Sequence, residues 1–264
     1  MAPLFQQPFM SGGFPSMNRA AGFDDTGLKA YYKFNETSGN LINVSESAVD
    51  LGSAADGTSS GDPTYSETGK IGNAISFDGV GDQFQLGSSL SQWNFLHDGT
   101  DATISWWMKL NATETDDQSG IMGTGTGSGS VHGFEMLMDD RSGASRDHKL
   151  QVLLSNGTAA KFLNTSDGYI PKNTTTWYHY IYTYTGDATP VIDVYRDNAN
   201  NESDSTAFTE SVSNATYAMQ LGNIGNSAVN NFDFMLDEMS IFSRKITADE
   251  RSSLYNSGSG LEIY

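Results

Sequence analysis

The stretch WYHYIYTYTGD (177–187), continued by VIDVYRDN (191–198), decides the fold that the sequence predicts. Tyrosines occupy every second position of the first segment, which places them on one face of an extended strand. Gly186 and Pro190 lie between the two apolar runs, so the second segment is expected to return as the antiparallel partner of the first. Together the two segments predict a β-hairpin with one aromatic face.

Further candidate strands extend along the chain on both sides of this hairpin. They are LKAYYKF (28–34), GNAISFDG (72–79), TISWWMKL (103–110), GFEMLMDD (133–140), HKLQVLLS (148–155), AMQLGNIG (218–225) and FMLDEMSIFSR (234–244). So many strands need a second sheet to cover their apolar face. The sequence therefore predicts an all-β protein built as a two-sheet antiparallel sandwich.

One short helix is predicted near the C-terminus. Thr247 and Glu250 have the spacing of a capping box, in which each residue satisfies a backbone N–H of the other. The helix is expected to run to about Asn256 and to stop before Gly258.

The charge balance limits the partners of this 264-residue chain. It has 14 Lys and Arg against 32 Asp and Glu, a formal charge of −18. Nucleic-acid phosphates should repel such a protein, so no nucleic-acid partner is expected. No apolar run approaches the roughly 18 residues that span a bilayer, so no membrane insertion is expected. The absence of Cys excludes disulfides, thiolate nucleophiles and Cys-ligated zinc.

Residues 1–27 differ from the rest of the chain. They carry scattered large apolar side chains without any helical or strand period, namely Leu4, Phe5, Phe9, Met10, Phe14 and Met17. The segment also lacks the basic start and apolar core of a secretory signal. We predict an arm that docks into other subunits of an assembly, a homo-oligomer, and a separate domain over residues 28–264. A disordered tail is the alternative.

Several segments resemble one known group of domains. The hairpin, GKIGNAISFDGVGDQFQLG (69–87), TISWWMKLN (103–111) and LDEMSIFSRKITADERSSLYNSG (236–258) occur in the order found in laminin G-like domains. The chain resembles more closely the concanavalin A-like lectin/glucanase superfamily, and YYKFNETSGN (31–40) is similar to its opening strand. The resemblance covers roughly residues 28–258. It implies a jelly-roll with adjacent first and last strands, but it does not give the function.

The same resemblance implies a calcium ion that joins the first strand to the last. Carried over to this sequence, Asp237 of the LDE motif is the side-chain ligand, and Asn35 or Glu36 supplies a backbone carbonyl. Asp78 of the SFDG segment is a weaker candidate. Calcium prefers such oxygen ligands. The alternative is that these carboxylates cap turns or accept backbone hydrogen bonds.

No catalytic group emerges from the sequence. Glycoside hydrolysis needs two carboxylates about 5–5.5 Å or 6.5–9.5 Å apart. The nearest candidates, Glu135 with Asp139 or Asp140, lie in one strand, where Glu135 and Asp139 would share a face roughly 13 Å apart. We interpret them as solvated carboxylates near a strand end and expect no enzyme activity.

Histidines and aromatic residues give no clear site either. His97, His132 and His148 lack the usual spacing of zinc ligands, and His179 has the place of a packing residue. Trp107, Tyr180 and Tyr182 could stack on a sugar, but tyrosine rows in a sandwich more often form the core. No glycan-binding residue is therefore assigned.

These observations lead to three hypotheses about function. The first is a non-enzymatic structural or surface protein of a large assembly, on the surface of a virus or phage particle, with a domain that contacts glycans. The second is a soluble, extracellular glycan-binding lectin or adhesin module. The third is an unusual glycoside hydrolase.

Overall fold

The computed structural model describes residues 20, 22–113, 117–125, 130–141, 146–187, 189–225 and 230–264. The strands of this part are, in chain order, β1 (Leu28–Tyr32), β2 (Gly57–Ser60), β3 (Thr64–Thr68), β4 (Asn73–Asp78), β5 (Gln83–Leu86), β6 (Ala102–Leu110), β7 (Gln118–Gly123), β8 (His132–Asp139), β9 (Lys149–Asn156), β10 (Ala160–Asn164), β11 (Tyr178–Thr185), β12 (Val191–Arg196), β13 (Ala199–Asp204), β14 (Met219–Leu221), β15 (Asn230–Asn231) and β16 (Asp233–Phe242). Short 3-10 turns cover Gly52–Ala55, Asn94–Leu96 and Asn256–Gly258, and the helix α1 covers Ala248–Tyr255.

The strands form two eight-stranded sheets that pack face to face. The first sheet has the order β13-β12-β11-β6-β16-β4-β3, with β1 paired to β16. The second sheet has the order β10-β9-β8-β7-β14-β5-β2, and β15 pairs with β7 in parallel. The remaining pairs are antiparallel, so the predicted two-sheet jelly-roll is confirmed. The first and last strands are neighbours, as the resemblance implied.

The predicted hairpin forms part of the first sheet, between β13 and β6. Strands β11 and β12 pair with Tyr182 opposite Val194. Tyr180, Tyr182 and Tyr184 belong to the apolar core between the sheets. Trp106 stacks on Tyr180 at 5.5 Å between ring centroids. The tyrosine row is therefore core, which was the preferred interpretation of its sequence.

The outer face of the first sheet carries α1 and the C-terminal residues. Thr247 accepts a hydrogen bond from the Glu250 backbone N–H, and Glu250 accepts one from the Thr247 N–H, which confirms the capping box. Asn256 follows the helix in the left-handed conformation that commonly ends helices. Leu254 packs in a small second apolar cluster with Phe242 and Ile263.

The described end of the predicted arm lies on this cluster. Phe23 is 5% exposed, and its ring centroid lies 6.3 Å from that of Phe242. The backbone N–H of Ala20 donates to the carbonyl of Ile263 at 2.7 Å. The rest of the predicted docking arm, residues 1–19 and 21, lies outside the described residues.

Candidate functional site

The strands β5 and β14 present amide side chains on the outer face of the second sheet, the face turned away from the first sheet. Phe84 and Leu86 of β5 are buried in the core between the sheets. Because side chains alternate along a strand, Gln83 and Gln85 point to the opposite face. Gln220 of β14 is the register partner of Gln85, so the three amides share one surface.

These amides line a groove of about 370 Å³, which we call the amide groove. Its lining residues are Gln83, Gln85, Tyr217, Ala218, Gln220, Asn223 and Gly225. Gly225 has φ +46°, and a Cβ there would lie 1.9 Å from the Gly125 carbonyl, so this wall requires glycine. Asn223 is held in place because its Nδ2 donates to Asn231 Oδ1 at 2.8 Å.

The chemistry of the amide groove is polar and uncharged. Gln220 Oε1 is buried and has no hydrogen-bond partner among the residues that the structure describes. Gln85 Nε2 donates to the Gly87 carbonyl at 3.0 Å, which fixes that side chain. No Asp, Glu, Lys or Arg is among the lining residues in the described part of the chain. The groove can therefore exchange hydrogen bonds with hydroxyl groups, which both donate and accept.

The carboxylates Glu135 and Asp139 do not form a hydrolytic pair. They share the outer face of β8 with Leu137 between them, as their spacing predicted. The expectation that they are solvated is wrong, because both are fully buried. Two hydrogen bonds of 2.9 Å from Arg141 bind Asp139, which also pairs with Arg146. Burial alone would raise the pKa of Asp139, but these two arginines hold it below its usual value.

A second carboxylate group lies where β16 bulges opposite β6. Asp237 is fully buried and accepts a hydrogen bond from the Ile71 N–H at 2.9 Å, while its Oδ1 has no partner within the described residues. The next residue, Glu238, accepts from the Tyr31 hydroxyl, and its Oε1 likewise has no partner in the part of the chain that the structure describes. Burial raises the pKa of Asp237 to about 8. Burial and then the charge of Asp237 raise the pKa of Glu238 to about 9.

The calcium residues predicted from the resemblance are brought together only in part. Asn35 accepts from the Asn73 N–H at 2.7 Å, so it and Asp237 bind the same loop between β3 and β4. Glu36 accepts from the Ile42 N–H at 2.9 Å. Asp78 is exposed and accepts a hydrogen bond from the Val80 N–H at 2.7 Å. It therefore caps a turn, which was the alternative to calcium binding.

The donor set at Asp237 suits a divalent cation. Buried, unpartnered carboxylate oxygens on Asp237 and Glu238 are the hard ligands that calcium prefers. A bound ion would supply the positive charge that offsets two adjacent buried carboxylates. The calcium site at Asp237 nevertheless stays a prediction, as do the backbone donors at Asn35 and Glu36.

The aromatic residues considered for sugar stacking are inside the protein. Trp107, Tyr180 and Tyr182 are each at most 2% exposed. His179 stacks on Trp107 at 4.8 Å, its Nε2 lies 2.7 Å from Ser105 Oγ, and burial lowers its pKa to about 3. The expected packing role of His179 agrees with this geometry.

Sequence reasoning missed the residues of the amide groove. The alternation in QFQL (83–86) shows that two Gln side chains face away from the core, and this was the available signal. Nothing in the sequence shows that Gln220 is their neighbour, because only the pairing of β5 with β14 brings them together.

A sequence profile described as the concanavalin A-like lectin/glucanases superfamily matches residues 78–250. The chain belongs to this superfamily. The family interpretation of the sequence is thus confirmed. No curated protein sequence matches the chain closely enough to count as a relative.

Solved structures of toxin binding domains have a similar fold. The binding domain of Paraclostridial Mosquitocidal Protein 1 is 14% identical with a TM-score of 0.65, and the match covers 89% of this chain and 53% of that one. The botulinum neurotoxin serotype D binding domain is 11% identical with a TM-score of 0.61, covering 88% and 52%. The superfamily member described here therefore spans about half of those chains. At this identity the likeness shows the fold.

Proposed function

We propose that this superfamily member is a non-enzymatic module that binds neutral carbohydrate in the amide groove. The observation that carries the proposal is Gln220 Oε1, a buried acceptor in an uncharged groove that finds no partner among the described residues. Buried polar atoms are rarely left without a hydrogen bond, and each such atom costs about 1–3 kcal/mol. When the Gln220 amide turns toward the groove, its oxygen accepts a hydrogen bond from a sugar hydroxyl, which removes this cost on binding.

The charges of the groove and of the whole chain favour neutral sugars. An anionic sugar needs a cationic side chain for a strong, charge-assisted contact. The amide groove has none among its described lining residues, and the net charge of −18 repels anions at longer range. Sialylated and sulfated glycans are therefore expected to bind worse than the same glycans without the acidic group.

The carboxylates support a binding role over hydrolysis. A general acid for glycoside cleavage needs a raised pKa. Asp139 has the opposite property, because Arg141 and Arg146 keep it ionised. It also lies four residues from Glu135 in one strand, roughly 13 Å away.

The test is a glycan array followed by calorimetric titration of the best neutral glycan and of its sialylated counterpart. We expect Gln220→Ala and Gln85→Ala to weaken binding of the neutral glycan at least tenfold. Asn40→Ala, which removes an exposed amide outside the groove, is the matched control and should leave the affinity unchanged. Binding that survives both groove substitutions would disprove the location. Equal or tighter binding of the sialylated glycan would disprove the neutral specificity.

The assembly role remains a separate proposal. Display on a virus or phage particle is supported only by the apolar composition of the predicted arm. Because Ala20 and Phe23 pack on the chain's own domain, the part that we propose to dock into other subunits is the part before Ala20. Light scattering of the full chain and of a chain that begins at Ala20 tests it. We expect the full chain to form an oligomer and the shortened chain to be a monomer.

A further inference from the structure

The turn between β8 and β9 brings three potential metal ligands together, which we call the turn-end cluster: Asp140, Asp147 and His148. Asp139 and Lys149 are register partners, so Asp140 and His148 meet directly beyond them. The His148 N–H donates to Asp140 Oδ1 at 3.3 Å. One ligand atom from each residue of the cluster lies within 4.8 Å of the others.

The imidazole of His148 is the unusual part of this cluster. It is fully buried, and its Nδ1 has no hydrogen-bond partner in the described part of the chain. Its Nε2 lies 2.6 Å from the Thr113 carbonyl and 3.4 Å from Asp140 Oδ2. Both oxygens accept hydrogen bonds, whereas one ring nitrogen has at most one proton to donate. A single proton on Nε2 therefore cannot serve both oxygens fully.

The backbone holds His148 in this position. The residue has φ +49°, which non-glycine residues rarely adopt, and its carbonyl accepts from the Ile170 N–H at 2.9 Å. Such conformations persist where the surroundings enforce them, and they concentrate at functional sites. The ring is thus preorganised rather than free to turn away.

Asp147 provides access from solvent. It is exposed, and Lys172 Nζ lies 3.0 Å from its Oδ1 with a side chain that is itself 39% exposed. Exposed ion pairs of this kind contribute about 0–1 kcal/mol, so a bound cation can displace the lysine.

We propose that Asp140, Asp147 and His148 bind one divalent transition-metal ion, for which Zn²⁺ is the probe. Ligand atoms of a tetrahedral site with bonds of about 2.0–2.1 Å lie roughly 3.3–3.4 Å apart. The 3.4 Å between His148 Nε2 and Asp140 Oδ2 has this length. The imidazole selects zinc over calcium. When zinc binds Nε2, the single imidazole proton moves to Nδ1. The Thr113 carbonyl must move outward, because its 2.6 Å separation from Nε2 is shorter than the spacing of two zinc ligands. This site is independent of the amide groove and of the predicted calcium site at Asp237.

The test is calorimetric titration of the untagged full chain with Zn²⁺, and separately with Ca²⁺, together with melting curves. We expect one zinc ion per chain and a melting temperature that rises by about 5–10 °C at a hundredfold excess over Kd. Asp147→Asn keeps an exposed position polar, so it should fold and lose at least tenfold in zinc affinity. Asp140→Asn should lose as much or more.

Two matched variants separate this site from adventitious zinc binding. Asp62→Asn removes an exposed carboxylate elsewhere on the surface, and His132→Asn removes another histidine. Both should bind zinc like the wild type. The proposal is overturned if the wild type does not bind zinc at millimolar concentration or if Ca²⁺ binds the cluster as tightly as Zn²⁺. It is equally overturned if Asp147→Asn and Asp140→Asn retain wild-type affinity.

Discussion

Two groups of buried carboxylates, one in each sheet, differ in what surrounds them. Asp139 in the second sheet is fully buried and pairs with two arginines, which hold its pKa below the usual value. Asp237 and Glu238 in the first sheet are equally buried, but none of the ion pairs found in the described residues includes them. Their pKa values are raised to about 8 and about 9. Burial alone thus does not set the charge of a carboxylate, because the partner decides it.

The hydrogen bonds around the two groups follow the same contrast. Gln118 Nε2 reaches Asp139 Oδ2 at 3.4 Å and Gln151 Oε1 at 3.2 Å, which continues a polar network across neighbouring strands. Asp237 and Glu238 instead each have one oxygen that lacks a partner among the described residues. The first group has the satisfied network of a structural element. The second has the unmet acceptors that a ligand or a proton can satisfy.

The largest expected effect is the pH dependence of the Asp237 and Glu238 pair. A carboxyl group with a raised pKa in the folded state contributes stability below its unfolded pKa and loses it as the pH rises through the folded value. Between about pH 4 and pH 9 the free energy of unfolding should therefore fall, by on the order of 5 kcal/mol for Asp237 alone. Urea denaturation in EDTA at pH 5, 7 and 9 measures this fall.

The matched variant for that experiment is Asp237→Asn combined with Glu238→Gln, which keeps the shapes and removes both titrations. It should lose less stability than the wild type between pH 5 and pH 9. If the two proteins show the same pH dependence, the raised pKa values are wrong.

The second-largest expected effect is the loss of stability when Asp139 is replaced. Asp139→Asn keeps the shape of the side chain and leaves Arg141 and Arg146 without their anion, so it should reduce the free energy of unfolding by about 3 kcal/mol. Asp167→Asn, which breaks the exposed pair with Lys149, should change it by less than about 1 kcal/mol. Urea denaturation at pH 7 compares the two. Equal losses would show that the burial of Asp139 has no energetic weight.

A calcium ion at Asp237 should reduce the difference between the two carboxylate groups, because it supplies the positive charge that Asp139 receives from its arginines. If Asp237 is the predicted ligand, a hundredfold excess of calcium over Kd stabilises the fold by about 2.7 kcal/mol. EDTA should then lower the melting temperature of the wild type. Asp237→Ala should lower it as well, with no further loss in EDTA. An identical wild-type melting curve with and without EDTA at pH 7 would rule out the calcium site.

The elements that the sequence predicted correctly depend on local patterns. The tyrosine alternation at 177–187 placed a strand and its buried face, and Thr247 with Glu250 placed the start of the helix. Strand alternation and a capping box involve residues a few positions apart, so they are visible without the fold.

The sites were harder to predict because they join distant or oddly spaced residues. The amide groove needs β14 beside β5, and sheet order cannot be read from either segment. The turn-end cluster combines two carboxylates with one histidine across a hairpin, so the spacing of the histidines alone does not indicate it. The burial of Asp139 was missed because Arg141 two residues later neutralises it, which allows a carboxylate to leave solvent.

The smallest expected effect is the difference in the free energy of unfolding between variants of the two arginines that bind Asp139. Arg141 makes two hydrogen bonds of 2.9 Å to both carboxylate oxygens, while Arg146 approaches only Oδ2 in the contacts observed. Bidentate pairs are the stronger ones, and both side chains are about one-third exposed, so solvent weakens each interaction. Arg146→Ala should therefore cost about 0.5–1 kcal/mol, and Arg141→Ala should cost more.

The pH dependence of stability at acid pH gives a second, independent comparison of Arg141 and Arg146. A carboxylate with a lowered pKa contributes stability above its unfolded pKa and loses it as the pH falls through the folded value. Each arginine variant should raise the pKa of Asp139 toward the ordinary range, and Arg141→Ala should raise it further. Carbon-13 NMR titration of the Asp139 carboxyl measures this directly. If the pKa of Asp139 rises further in Arg146→Ala than in Arg141→Ala, the proximity of the positive charge outweighs bidentate geometry. The difference between Asp139 and Asp237 would then depend on the number of neighbouring cations rather than on how those cations bind.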